Sequence, residues 1–266
     1  MGADAADPAA RPATGAAAAA DGPPPIDPAS VDPAAIAGTP LDRVDVGVTR
    51  RLPPGAPLRS HVGVFLGGLA TRTMVAILGV LLVARAAFGD WSVLDLVVLA
   101  VLLAGYPFFE WFAHAVVLHS RPHTIAGRTR YLGVARNHRA HHLDPENPAK
   151  SLPDTTRNLA YLAIAVAVPT VIVLRDAGPR LTVGVFAITA LLTYEWAHYL
   201  IHAAYKPRGR VLKALRRRHL LHHHRDERRW YGVASPLADV VLRTSPDPAT
   251  VPVSPTCRTL GIDLPA

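Results

Sequence analysis

Ten histidines stand at metal-ligand spacing along this chain: His114 and His119; His138, His141 and His142; His198 and His202; His219, His222 and His223. Neutral imidazole is the commonest protein ligand for a transition metal. The single cysteine, Cys257, excludes both an internal disulfide and a thiolate cage. Of the 13 histidines, 11 fall in the four runs 114–119, 138–142, 198–202 and 219–224, where chance would scatter them. The chemistry such a set supports is that of nitrogen-held transition metal ions.

Helical geometry pairs most of these residues, because positions three and four apart share a face. His198 and His202 are i and i+4; the triplets at 138, 141, 142 and at 219, 222, 223 are i, i+3 and i+4. His114 and His119 are five apart and turn away from each other on a regular helix. Either they serve different metals or the helix ends or bulges between them. Glu110 and Glu195 lie one turn before a histidine, where they either orient a ligand through a hydrogen bond or mark a membrane interface. His224 makes a third consecutive histidine, so either 222 and 223 or 223 and 224 complete the run; the face shared with His219 favours 222 and 223. His61 has no nearby partner and His123 lies outside the pattern, so neither is counted as a ligand. A tag, a pH-sensing surface or a metal-scavenging run would account for the segment 216–225 (RRRHLLHHHR), but not for three further spaced clusters beside apolar segments.

Four uncharged apolar stretches must position these clusters: Met74–Ala84, Leu96–Phe109, Leu159–Leu174 and Leu181–Tyr194. Each is shorter than the roughly 20 residues of a straight span, so buried core helices compete with membrane helices. The flanks favour the membrane. Trp91 and Trp111 bracket the second stretch as interfacial aromatics do, and Arg72 and Arg85 are placed to snorkel. Basic residues crowd before the first stretch, after the second and after the fourth, whereas the connections at 86–95 and 175–180 carry few. That pattern predicts four spans with both termini and all ten histidines on the cytoplasmic side. Pro107 lies just before the first ligands, where a kink would aim His114.

The chain also resembles itself. Glu110-Trp111-Phe112-Ala113-His114 is matched by Glu195-Trp196-Ala197-His198, and each is followed by a His-x-x-His-His run. Two halves, each delivering five histidines, suit a pair of metal ions.

Composition agrees with a membrane protein: hydrophobic residues are 50% and mean hydropathy is +0.21. Residues 1–41 are rich in Ala, Pro, Gly and Asp and lack the basic and apolar regions of a secretory signal. Residues 1–60 are expected to form a disordered arm, 61–245 the membrane-embedded unit and 246–266 a C-terminal tail. Net charge is +8. The ten Lys and Arg of Lys206–Arg229 interleave with ligands and lack stacking aromatics, which argues against nucleic acid. They suit an acidic carrier, anionic headgroups, or simply the fixing of topology.

The pattern His114-x4-His119, His138-x2-His141-His142, His198-x3-His202, His219-x2-His222-His223 resembles the histidine boxes of the fatty acid hydroxylase and sterol desaturase superfamily. Tyr194–Arg229, followed by Tyr231-Gly232-Val233-Ala234-Ser235-Pro236-Leu237-Ala238-Asp239, is similar to its bacterial fatty acid hydroxylase branch. Leu242-Arg243-Thr244 departs from that branch, which more often shows an aromatic and a glycine before the threonine. The resemblance implies an all-α integral membrane fold with a cytoplasmic helical cap. In that cap the ten histidines would hold two iron ions. It also implies O₂-dependent hydroxylation of a membrane lipid, with a fatty acyl chain as substrate. Electrons would come from a separate ferredoxin, haem protein or reductase, since no haem, flavin or dinucleotide motif is present. A desaturase acting on a sterol, carotenoid or acyl chain is the alternative within the class, and a non-catalytic membrane metal carrier the alternative outside it. Spacing does not choose iron over zinc or manganese. A zinc peptidase is disfavoured, as no His-Glu-x-x-His helix occurs.

Overall fold

A computed structural model of the protein describes residues 51–125, 128–151 and 165–261. Its frame is three long helices. A short helix α1 (Leu58–Gly67) leads into α2 (Leu69–Phe88), and α3 (Val93–Phe112) returns alongside. A π-helical turn, Ala113–Leu118, prolongs α3. After it come a hairpin of two short strands, β1 (His123–Ile125) and β2 (Arg128–Arg130), then α4 (Gly133–Leu143) and α5 (Pro148–Ser151). The third long helix, α6 (Ala177–His202), is followed by α7 (Arg210–His224), α8 (Leu237–Val241) and a 3₁₀ turn at Pro248–Thr250. Among the described residues the fold is therefore helical apart from that one hairpin.

The segments Leu69–Phe88, Val93–Leu118 and Ala177–His202 are each long and apolar enough to cross a membrane. At 1.5 Å per residue they reach about 30–39 Å, against roughly 30 Å of hydrocarbon. Their surfaces decide between the core and membrane readings. Val80, Val83, Val93, Leu96, Val101 and Leu103 are each at least 60% exposed, an apolar area that no other described residue covers. Water would penalise such a surface and lipid does not. The fourth expected stretch, Leu159–Leu174, lies partly outside the described residues; 165–173 is helical and leads into α6.

The ends of the frame are closed by different chemistry. α2 stops at Gly89, whose left-handed backbone (φ 65°) lets its N–H cap the Arg85 carbonyl. α3 starts at Ser92, whose backbone N–H donates to the Asp95 carboxylate at 2.9 Å. Arg85 does not snorkel. It is buried against Asp95 at 3.0 Å, donates to the Thr182 hydroxyl at 3.0 Å, and lies 3.6 Å from the centre of the Trp91 ring. One ion pair thus ties all three long helices at the end away from the histidines.

At the opposite end α1 packs on α6 through Val64, Phe65, Tyr199 and Leu200. The helix begins at Leu58, inside the stretch read as an arm, because His61 is buried and bonded to the Tyr199 hydroxyl at 3.1 Å. Residues 1–50 of that expected arm lie outside the described residues. Replacing Asp95 by Ala should destabilise the protein by about 3–5 kcal/mol, since it strands a buried guanidinium. Thermal unfolding of the purified chain in detergent checks this, and a melting point matching the wild type would show that the pair does not hold the frame.

Candidate metal centre

All ten histidines meet at one end of the bundle. They form two groups in which one nitrogen per residue lies within 4.8 Å of the others. The first group is His114, His119, His138, His142 and His222; the second is His141, His198, His202, His219 and His223. The division differs from two self-contained halves. Each half keeps four of its histidines and lends one, His222 or His141, to the other group. Helical geometry explains the exchange. His141 and His142 are adjacent on α4, about 100° apart, so they face different groups. His222 and His223 on α7 do the same. The two groups touch where the rings of His142 and His223 stack, their centres 4.0 Å apart.

The five-residue spacing of His114 and His119 is resolved by the π-turn. The His119 N–H reaches the His114 carbonyl, an i to i+5 bond of 3.3 Å. That register stacks residues five apart on one face.

In the first group the Nε2 atom of His138 lies 3.2 Å from that of His114, 3.2 Å from that of His119 and 3.1 Å from that of His142. Nitrogens each about 2.0–2.1 Å from one ion would be roughly 2.8–3.4 Å apart at octahedral to tetrahedral angles. The outer nitrogens fix the tautomer. His114 Nδ1 donates to the Tyr231 carbonyl at 2.5 Å, His142 Nδ1 to the Cys257 carbonyl at 2.9 Å, and His222 Nδ1 to the Arg229 carbonyl at 2.7 Å. A carbonyl only accepts, so each Nδ1 carries the proton and each Nε2 presents a lone pair inward. Lone pairs converging at this distance repel unless a cation lies between them.

The second group closes in the same way. His219 and His223 bring their Nε2 atoms to 3.0 Å, and the Nε2 atoms of His141 and His198 are buried without a partner. Both nitrogens of His202 are likewise unsatisfied. Buried polar atoms normally have partners, and a cluster of exceptions calls for a ligand. The donor set, its spacing and its neutrality all suit metal ions.

Around the groups the cap is stitched by carboxylates. Glu110 is buried and accepts the Val233 and Ala234 N–H groups at 2.5 and 2.7 Å. It therefore orients His114 indirectly, by holding the loop whose Tyr231 carbonyl meets that ring. Asp239 accepts the N–H groups of Tyr231 and Gly232 and the hydroxyl of Thr244. A side chain at Gly232 would run into the Ser235 carbonyl, so the turn admits only glycine. Trp111 is more than an interfacial aromatic: its indole N–H donates to Thr244 at 2.9 Å and its ring packs on Tyr231. Glu195 is buried beside the second group. His224 faces outward against Arg258, and His123 sits on β1; both are apart from the groups.

Two contributors had no sequence signal. Ser151 gives its own proton to the Pro145 carbonyl, so its oxygen accepts from His141 Nδ1 at 3.3 Å. The segment expected to be a tail supplies the Cys257 carbonyl, and it is pinned through Ser254 N–H to the Arg225 carbonyl.

Residues 99–244 match the fatty acid hydroxylase family, more than half of the 266-residue chain. The chain belongs to the fatty acid hydroxylase family. A relative, the dihydroceramide fatty acyl 2-hydroxylase FAH1 of Arabidopsis thaliana, is 28% identical over 161 residues. The match covers 58% of this chain and spans 62% of that relative's length. A solved structure described as full-length scs7p, with only its hydroxylase domain visible, shares the fold at a TM-score of 0.50 and 16% identity, covering 69% of this chain and 66% of that one.

Burial, followed by the neighbouring imidazoles and one arginine, holds His119 well below the ordinary histidine value of 6.5. Burial is also the leading cause for His138, His141, His219 and His223, with other imidazoles next. It lowers His142 and His222 as well, against the opposing pull of their carbonyl partners. In the folded protein these rings thus stay neutral at a pH where the unfolded chain would protonate them. Its stability is fully present above pH 6.5 and is lost as pH falls through 6.5 toward the folded-state values. Metal-free protein should show a flat melting temperature above about pH 7 and a falling one on acidification. A melting temperature that rose in acid would contradict neutral packing of these rings.

Proposed function

We propose that this hydroxylase-family member is an O₂-dependent, di-iron enzyme that hydroxylates a C–H bond of a membrane lipid, most directly a fatty acyl chain. The observation that carries the reading is the convergence of two five-histidine groups at one end of an apolar, outward-facing helical frame. The named activity of the plant relative, fatty acyl 2-hydroxylation, supports the substrate class.

His114, His119, His138, His142 and His222 would hold one ion, and His141, His198, His202, His219 and His223 the other. When bound, the ions supply O₂ activation and an oxidant strong enough for an unactivated C–H bond. The chain supplies the surroundings. The exposed apolar faces of α2 and α3 would lie against acyl chains and hold the histidine end of the bundle beside them. Burial of nine of the ten rings limits water, and the nitrogen donor set contains no oxidisable thiolate. The overall reaction places one oxygen atom in the lipid and the other in water, consuming two electrons and two protons.

Those electrons need a separate carrier: a ferredoxin, a haem protein or a reductase. Arg210, Lys213 and Arg217 lie exposed on the outer side of α7, while His219, His222 and His223 are buried on its inner side. An acidic carrier docked there would sit one helix from the ions. The charge alternation of the loops supports a multi-pass arrangement with both termini and the centre in the cytoplasm. The catalytic unit would span 61–245, with the 246–261 segment completing it.

Lipids from aerobic cells expressing the wild type should contain a species one oxygen heavier that is absent with His141→Ala, read by mass spectrometry. A product two hydrogens lighter would instead indicate desaturation. Unchanged lipids, with inserted and metal-loaded protein and a competent donor, would leave a metal carrier as the better account.

A further inference from the structure

The two histidine groups are built from the same residue type but are not supported alike. In the first, three rings are braced from behind by backbone carbonyls: His114 by Tyr231, His142 by Cys257 and His222 by Arg229. A carbonyl cannot rotate away without moving the chain. The loop that carries the Tyr231 carbonyl is itself gripped by Glu110 and Asp239.

In the second group the outer nitrogens of His219 and His223 are buried and have no partner among the described residues. His202 has no partner on either nitrogen among the described residues, and none of them sets its tautomer. The remaining two rings both lean on a single residue, His141 on the Ser151 hydroxyl at 3.3 Å and His198 on the Ser151 backbone. An unbraced imidazole must lose rotational and tautomeric freedom when a metal binds, and a braced one has already lost it. Removing one such brace typically lowers metal affinity about 10–100-fold.

We infer that the two sites are unequal: the His114 group takes the first ion and holds it more tightly, and the His141 group fills last. This rests on the reading of both groups as metal sites. Burial acts in the opposite direction on rates. All five rings of the second group are buried, whereas His119 of the first is only partly so. Equilibrium occupancy, not the speed of stripping, is therefore the quantity that reports the difference.

The test is a titration of the full chain in lipid nanodiscs, stripped of metal and then equilibrated without oxygen against buffered free Fe(II) or, separately, Zn(II). Metal per chain is read by elemental mass spectrometry. Two one-ion steps should appear, separated by tenfold or more in free metal. Ser151→Ala, which removes a brace but none of the ten histidines, should move the weaker step to about 10–100-fold higher free metal and leave the tighter one in place. His202→Ala should abolish the weaker step alone, with circular dichroism confirming a folded chain. A single two-ion step would overturn the inference, as would loss of the tighter step in either variant. If neither metal bound at all, the metal-site reading itself would fall, an outcome distinct from two equal sites.

Discussion

Ten neutral imidazoles with their lone pairs turned toward two points cannot pack together unaided. Each ring loses its water, and each inward nitrogen faces others of the same polarity at about 3 Å. The rest of the fold is organised around that difficulty. Backbone carbonyls take the outward protons of three rings, Glu110 and Asp239 hold the loop that carries one of those carbonyls, and α4 and α7 each present adjacent histidines to different points. The three apolar helices anchor the assembly from the far end, where Arg85 and Asp95 hold each other in place of water.

The exchange of His141 and His222 between groups has a structural effect beyond ligand count. A metal centre confined to one half could form while the halves were still apart. Here each histidine group draws side chains from both, so closing either one would fix how α4 meets α7. The stacked His142 and His223 rings sit at that junction. Docking of the halves and completion of the site are one event.

Much of this was readable in the residues, and what was not has identifiable causes. The i, i+4 spacings foretold that His138 and His142, His198 and His202, and His219 and His223 serve the same group, because helical periodicity is local, but the i+3 partners His141 and His222 went to the other group. The five-residue gap between His114 and His119 allowed two outcomes, and only the π-turn chose between them. The crossing of ligands between halves depends on how two helices face each other, which no local pattern encodes. The bracing carbonyls of Tyr231, Arg229 and Cys257 were invisible for a simpler reason: every residue has a carbonyl, so its use leaves no mark on composition. Arg85 read as a snorkelling cation because its partners, Asp95 and Thr182, are distant or ambiguous in sequence. Three of the four apolar stretches were legible as spans, though the structure extends each of these three well beyond its uncharged core.

The bond between His142 and the Cys257 carbonyl joins positions 115 residues apart. Chains are made from the N-terminus and tend to fold as they emerge. The helices that carry most of the ligands are therefore synthesised, and can settle into the bilayer, well before the segment that sets the tautomer of His142. Until residue 257 leaves the ribosome, that ring can present either nitrogen inward. If the ten histidines hold metal, the last step in completing the centre would wait on translation: a nascent chain would carry nearly all the ligands and still lack the piece that makes one of them choose.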